Sequence, residues 1–96
     1  MFSAAEPATL PTACFAVEAQ ADPGVMPRVL ELFAKRGLIP SQWRSTLAGG
    51  PAAVLHIDIQ VEGMEGGLAE YIASCLRQLP AVAVVLTSEK CRAQRA

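Results

Sequence analysis

The sequence predicts an α+β fold: a four-stranded antiparallel sheet with two helices on one face, in the order β-α-β-β-α-β. Three observations carry this. Apolar and other residues alternate with a period of two over Thr12 to Gln20 and again over Ala52 to Glu62. Two further stretches, about Asp22 to Arg36 and Leu68 to Leu79, carry apolar residues at helical spacing. Glycine or proline punctuates the junctions, at Pro23-Gly24, Gly37, Gly49-Gly50-Pro51, Gly63 to Gly67 and Pro80.

In the first strand Ala13, Phe15, Val17 and Ala19 face one way, and Cys14, Ala16, Glu18 and Gln20 the other. The helix after it has Asp22 as expected N-cap, its carboxylate accepting from the amides of the first turn. Pro23 suits a first helical position, where no N–H is needed. Gly37 suits the left-handed residue that stops the helix. Val25, Met26, Val29, Leu30, Leu32 and Phe33 form the apolar face, with Arg28, Glu31 and Lys35 opposite.

The second strand is read over Leu38 to Ala48. Pro40 lacks a ladder donor, which assigns this strand to a sheet edge. Gly49-Gly50-Pro51 turns the chain back into the clearest strand, Ala52 to Glu62, with Ala53, Leu55, Ile57, Ile59 and Val61 on its apolar side. In the second helix Leu68, Ile72, Cys75, Leu76 and Leu79 form the stripe, and Pro80 ends it. Ala81 to Thr87 is the last strand. One domain is expected over residues 12–88, with a loose arm over 1–11 and a polar tail over 89–96. Short, right-handed crossovers then close the chain into a ferredoxin-like sandwich, strands one and three central and two and four at the edges.

The 96 residues carry a formal net charge of −1, 52% hydrophobic and 5% aromatic residues. No basic excess points to nucleic acid, and the aromatic share is too small for base-stacking platforms. No apolar run approaches the roughly 20 residues that span a bilayer. Cys14, Cys75 and Cys91 have neither metal-site nor redox-motif spacing, so reduced thiols in a cytoplasmic protein are expected. His56, the one histidine, shares the open sheet face with Cys14, Glu18 and Asp58. These come singly from different strands, so the sequence assigns no metal, no cofactor and no catalytic pair. Gly63 to Gly67 lacks the Lys-Ser/Thr of a phosphate loop. Trp43 with Arg44, on the exposed edge strand, is read as an interface anchor for a second copy.

The first βαβ unit resembles the start of an ACT domain, and in particular acetolactate synthase small (regulatory) subunits. Those carry a glycine opening the first helix, then Arg-Val, Leu-Phe and Arg-Gly; here these are Gly24, Arg28-Val29, Leu32-Phe33 and Arg36-Gly37. The resemblance implies a non-catalytic regulatory module that dimerises edge to edge, binds a small amino acid at the interface and acts on a biosynthetic enzyme's catalytic subunit. By position it places the ligand at Ala21, Asp22, Pro23, Gly24, Val25 and Met26, with Leu38 and Ile39. Valine-sensing small subunits resemble one another in having Asn where this sequence has Ala21 and Ile39. The ligand is then held by backbone amides and shape, or the dimer is a ligand-free interaction module.

Overall fold

The computed structural model describes residues 11–90. The expected arm, apart from Pro11, and the end of the tail with Cys91 lie outside the described residues. The elements are β1 (Thr12–Gln20), α1 (Val25–Ala34), β2 (Gln42–Ala48), a 3-10 turn (Gly50–Ala52), β3 (Val54–Glu62), α2 (Gly66–Arg77) and β4 (Val82–Lys90). The sheet order is β2-β3-β1-β4, every neighbouring pair antiparallel. This is the ferredoxin-like arrangement, with strands one and three central.

The register explains the core. Phe15 faces Ile59 and Val17 faces Ile57 across β1 and β3. All four are at most 1% exposed and point to the helix side. Val25, Val29 and Phe33 of α1 and Ala69, Ile72, Ala73 and Leu76 of α2 close over them. Phe15 and Phe33 meet edge to face, ring centroids 5.3 Å apart, the geometry that ring quadrupoles favour. Leu30, expected on the apolar face of α1, is 44% exposed. The buried positions 25, 29 and 33 are spaced by four, and Leu30 lies off that narrow stripe.

Several boundaries differ from the sequence reading, each for a local reason. Helix α1 starts at Val25 with Gly24 at its N-cap position, not at Asp22. Asp22 instead builds a turn ahead of the helix: its Oδ1 accepts the Gly24 N–H at 2.9 Å and its carbonyl accepts the Val25 N–H at 3.0 Å. Pro23 sits inside that turn, and Pro27 occupies the first helical turn, where a missing N–H costs nothing. At the other end the Gly37 N–H bonds to the Ala34 carbonyl and the Leu38 N–H to the Phe33 carbonyl. That crossed pair with Gly37 at φ +71° is a Schellman stop.

Because Leu38 is turned back onto the helix and Pro40 has no donor, β2 begins at Gln42 rather than Leu38. Ala52 belongs to the 3-10 turn, so β3 begins at Val54. Helix α2 begins two residues earlier than expected, at Gly66, and ends at Arg77. Its last turn tightens, with the Gln78 and Leu79 N–H groups reaching back only three residues, before Pro80 forbids continuation. Strand β4 runs on to Lys90: Ser88, Glu89 and Lys90 pair with Cys14, Ala13 and Thr12. Glu89 and Lys90 read as polar tail in sequence, but β1 supplies their ladder partners. Cys75, expected within the α2 stripe, is half-buried at its flank.

Candidate functional site

The turn from Ala21 to Met26 joins a central strand to the first helix, the place the sequence favoured for a ligand. Its donors decide what it can hold. Pro23 and Pro27 have no N–H. The Gly24 and Val25 amides are both taken up by Asp22. Only the Met26 N–H remains at the mouth of the helix. A helix N-terminus normally attracts anions through several free amides; here Asp22 already fills that role internally.

Beside this turn lies a cleft of ≈ 340 Å³ lined by Ala21, Asp22, Pro23, Met26, Ser45, Leu47 and Leu55. Four of the expected ligand residues therefore share one wall. The opposite wall comes from β2 and β3. Register explains it: Trp43, Ser45 and Leu47 of β2 pair with Ile59, Ile57 and Leu55 and so face the helix side. Ser45, Leu47 and Leu55 were not in the expected ligand set; Leu55 was read only as an apolar-face residue of the third strand. The signal was the alternation Trp43, Ser45, Leu47, which the hydroxyl of Ser45 obscures. Gly24 and Val25 do not line the cleft; Val25 is a core residue, 2% exposed.

Leu38 and Ile39 lie past the far end of α1, before β2 begins, and they do not line this cleft. Leu38 packs partly against the core. Ile39 is 84% exposed. Trp43 and Arg44 are likewise separated. Trp43 is half-buried against the core on the helix side, while Arg44 pairs with Asp58 on the open face. The apolar margin of β2 is therefore Ile39, Trp43 and Leu47, with Leu47 67% exposed.

The two edges are not equivalent. On β4, Arg77 reaches from α2 and its Nη2 donates to the Val85 carbonyl at 2.9 Å. Thr87 Oγ1 donates to Glu70 of the same helix at 3.2 Å. These contacts tether β4 to α2. Among the described residues β2 has no side-chain hydrogen bond to its backbone.

On the open face, His56 Nδ1 lies 3.9 Å from Glu18 Oε2. Both side chains are partly exposed, and the described residues contain no group of three or more metal-ligating side chains. Cys14 and Cys75 are free thiols, and Cys14 Sγ rests 3.9 Å from the Thr12 carbonyl. Between the helices, the Arg36 guanidinium lies 4.4 Å above the Tyr71 ring centroid, and Nη2 donates to the Tyr71 hydroxyl at 2.7 Å. No helix among the described residues is long and apolar enough to cross a membrane.

Comparison with known proteins agrees with this architecture. The chain matches a family model described as an ACT-like domain over residues 6–94. It is similar to the crystal structure of the ACT domain of GTP pyrophosphokinase from Chlorobium tepidum, with TM-score 0.59 and 12% identity, covering 80% of this chain and 96% of that one. The solution structure of the same domain gives TM-score 0.62 at 10% identity, covering 80% and 84%. The C-terminal domain of the MgtC protein from Mycobacterium tuberculosis gives TM-score 0.62 at 18% identity, covering 96% and 100%. No curated protein sequence matches significantly. ACT domains are typically regulatory and ligand-binding rather than catalytic. With the family model covering nearly the whole chain and the sheet order of the fold in place, this chain belongs to the ACT-like domain family.

Proposed function

We propose that the chain is a small, non-catalytic regulatory module that works as a homodimer joined through β2, in the cytoplasm. It binds a small amino acid beside the Ala21–Met26 turn and regulates an amino-acid biosynthetic enzyme. The first candidate is acetolactate synthase, through its catalytic subunit. The observation that carries this reading is the apolar margin of β2: Ile39 and Leu47, the two most exposed large apolar side chains of the described residues, bracket that strand. An unpaired edge with such flanks invites a second strand.

Symmetry then makes a site from both halves of the expected ligand set. Antiparallel pairing of two β2 strands about Ser45, the middle of Gln42–Ala48, sets Trp43 of one copy opposite Leu47 of the second. Leu38 and Ile39 of the second copy then approach the cleft beside Asp22, Pro23 and Met26. The Met26 amide and the second copy's Ile39 amide are the donors left for a ligand carboxylate; the cleft's apolar wall takes its side chain. Binding shifts the partner enzyme only if the ligand prefers one of two dimer states. The Arg28-Val29, Leu32-Phe33 and Arg36-Gly37 pattern supports the acetolactate synthase assignment. The free thiols suit a reducing compartment.

A second reading is favoured by the internal use of the turn amides: a ligand-free homodimeric module that only joins proteins. Thermal unfolding with each of the twenty amino acids in turn separates the two. A ligand present at 100 times its dissociation constant adds about 2.7 kcal/mol. A stabilising shift with one small amino acid, lost in Met26→Trp, supports the regulatory site; no shift with any of them leaves the interaction module. Sedimentation of Trp43→Arg tests the β2 edge, and a dimer of unchanged strength would overturn it.

A further inference from the structure

A concavity about twice the volume of the turn cleft lies on the opposite, open face of the sheet. It measures ≈ 700 Å³, within the range of small-molecule sites. A second hollow adjoins it, and the two share Ala16, Asp58 and Leu86. Its cause is legible in the register. One row across the sheet reads Arg44, Asp58, Ala16, Leu86, from the β2 edge to the β4 edge. Ala16 is the smallest side chain of that row and sits on a central strand. The row before it sets Gln42 beside Gln60.

Two features of that row point to a ligand. Arg44 and Asp58 are ladder partners, with Cβ atoms about 5 Å apart, yet their side chains form no ion pair. Among the described residues the one contact between a basic and an acidic side chain is His56 with Glu18. Leu86, on the other side of Ala16, is 64% exposed. The row thus runs cation, anion, gap, apolar wall. A dipolar molecule with carboxylate and ammonium groups on adjacent atoms matches the first two, and an aliphatic arm fills the gap.

We infer that this open-face hollow is a binding site for a free α-amino acid with a large aliphatic side chain. Arg44 takes the carboxylate and Asp58 the ammonium group. The side chain lies over Ala16 against Leu86, with the amides of Gln42 and Gln60 flanking the polar end. The site shares no lining residue with the turn cleft, and all of its groups come from one chain.

The test is an amide-resolved NMR titration of the full chain with L-leucine, N-acetyl-leucine and leucinamide. Leucine is expected to shift the amides of Ala16, Asp58 and Leu86. N-acetyl-leucine, lacking the ammonium group, and leucinamide, lacking the carboxylate, should each bind at least tenfold more weakly. Arg44→Gln should remove the preference for leucine over leucinamide, and Asp58→Asn the preference over N-acetyl-leucine. Ala16→Leu, which fills the hollow, should abolish these shifts. Shifts confined to Met26, Leu47 and their neighbours would overturn the open-face site while sparing the turn cleft. Equal binding of the three probes, or no shift at all, would overturn it outright.

Discussion

The two faces of the sheet are built on the same alternation but under opposite constraints. On the helix side, Phe15, Val17, Ile57 and Ile59 pair across the central strands and are at most 1% exposed. On the open side, Ala16, Glu18, His56 and Asp58 occupy the intervening positions of the same strands. Ala16, Glu18 and Asp58 are exposed and His56 is half-buried. A single step along the chain moves a side chain from one regime to the other. The helix side is therefore where stability resides, and the open side is free to vary in charge and shape.

The largest effect is expected at Phe33. It is wholly buried and stacked edge to face on Phe15. Phe33→Ala removes a large side chain from the contact between α1 and the sheet and should cost about 3–5 kcal/mol. Urea denaturation checks it. A loss under 1 kcal/mol would show that α1 repacks and that the helix layer is not fixed by this ring.

The next tests concern how α1 is held on the covered face. Gly37 has φ +71°, and nothing lies within 4 Å of where a Cβ would project. Gly37→Ala thus isolates backbone strain from crowding and should cost about 1–2 kcal/mol. At the other end, Asp22→Ala removes the carboxylate that holds the Gly24 N–H and should cost about 1 kcal/mol. The same variant frees that amide. A weak anion such as acetate should then perturb the Gly24 resonance in Asp22→Ala and leave the parent unchanged. Equal perturbation in both would contradict the account of the turn as internally satisfied.

The comparison also separates what was legible in the sequence from what was not. The covered face was: the alternation in Thr12 to Gln20 and Ala52 to Glu62 places Phe15, Val17, Ile57 and Ile59, and Pro40 correctly marks an edge. The element order follows from the same pattern and the glycine and proline stops. Boundaries were less legible because they depend on where individual amides go. Asp22 turned out to satisfy its neighbours two and three residues on, which delays the helix. Leu38 bonds backwards to Phe33, which delays β2. Ser88 to Lys90 gain strand structure from β1, a partner remote in sequence. For the cleft, Ala21, Asp22, Pro23 and Met26 were in the expected set. Ser45, Leu47 and Leu55 were not, since they reach the cleft only through the pairing of β2 with β3. Leu38 and Ile39 lie away from the turn because the helix read between the turn and these residues carries the chain to its far end; the resemblance, not the local sequence, joined them to the turn.

The smallest effect is expected on the open face itself. His56 and Glu18 approach only to 3.9 Å, with side chains 41% and 49% exposed. Water and salt screen such a pair, and exposed ion pairs contribute little. His56→Ala also removes no packing from the helix-side core, because its neighbours Leu55 and Ile57 hold the opposite face. The change in stability should stay within about 0.5 kcal/mol and be the same in low and high salt. A loss comparable to that of Asp22→Ala would mean that the open face carries structural load, and the division of labour between the two faces would have to be redrawn around Glu18 and His56.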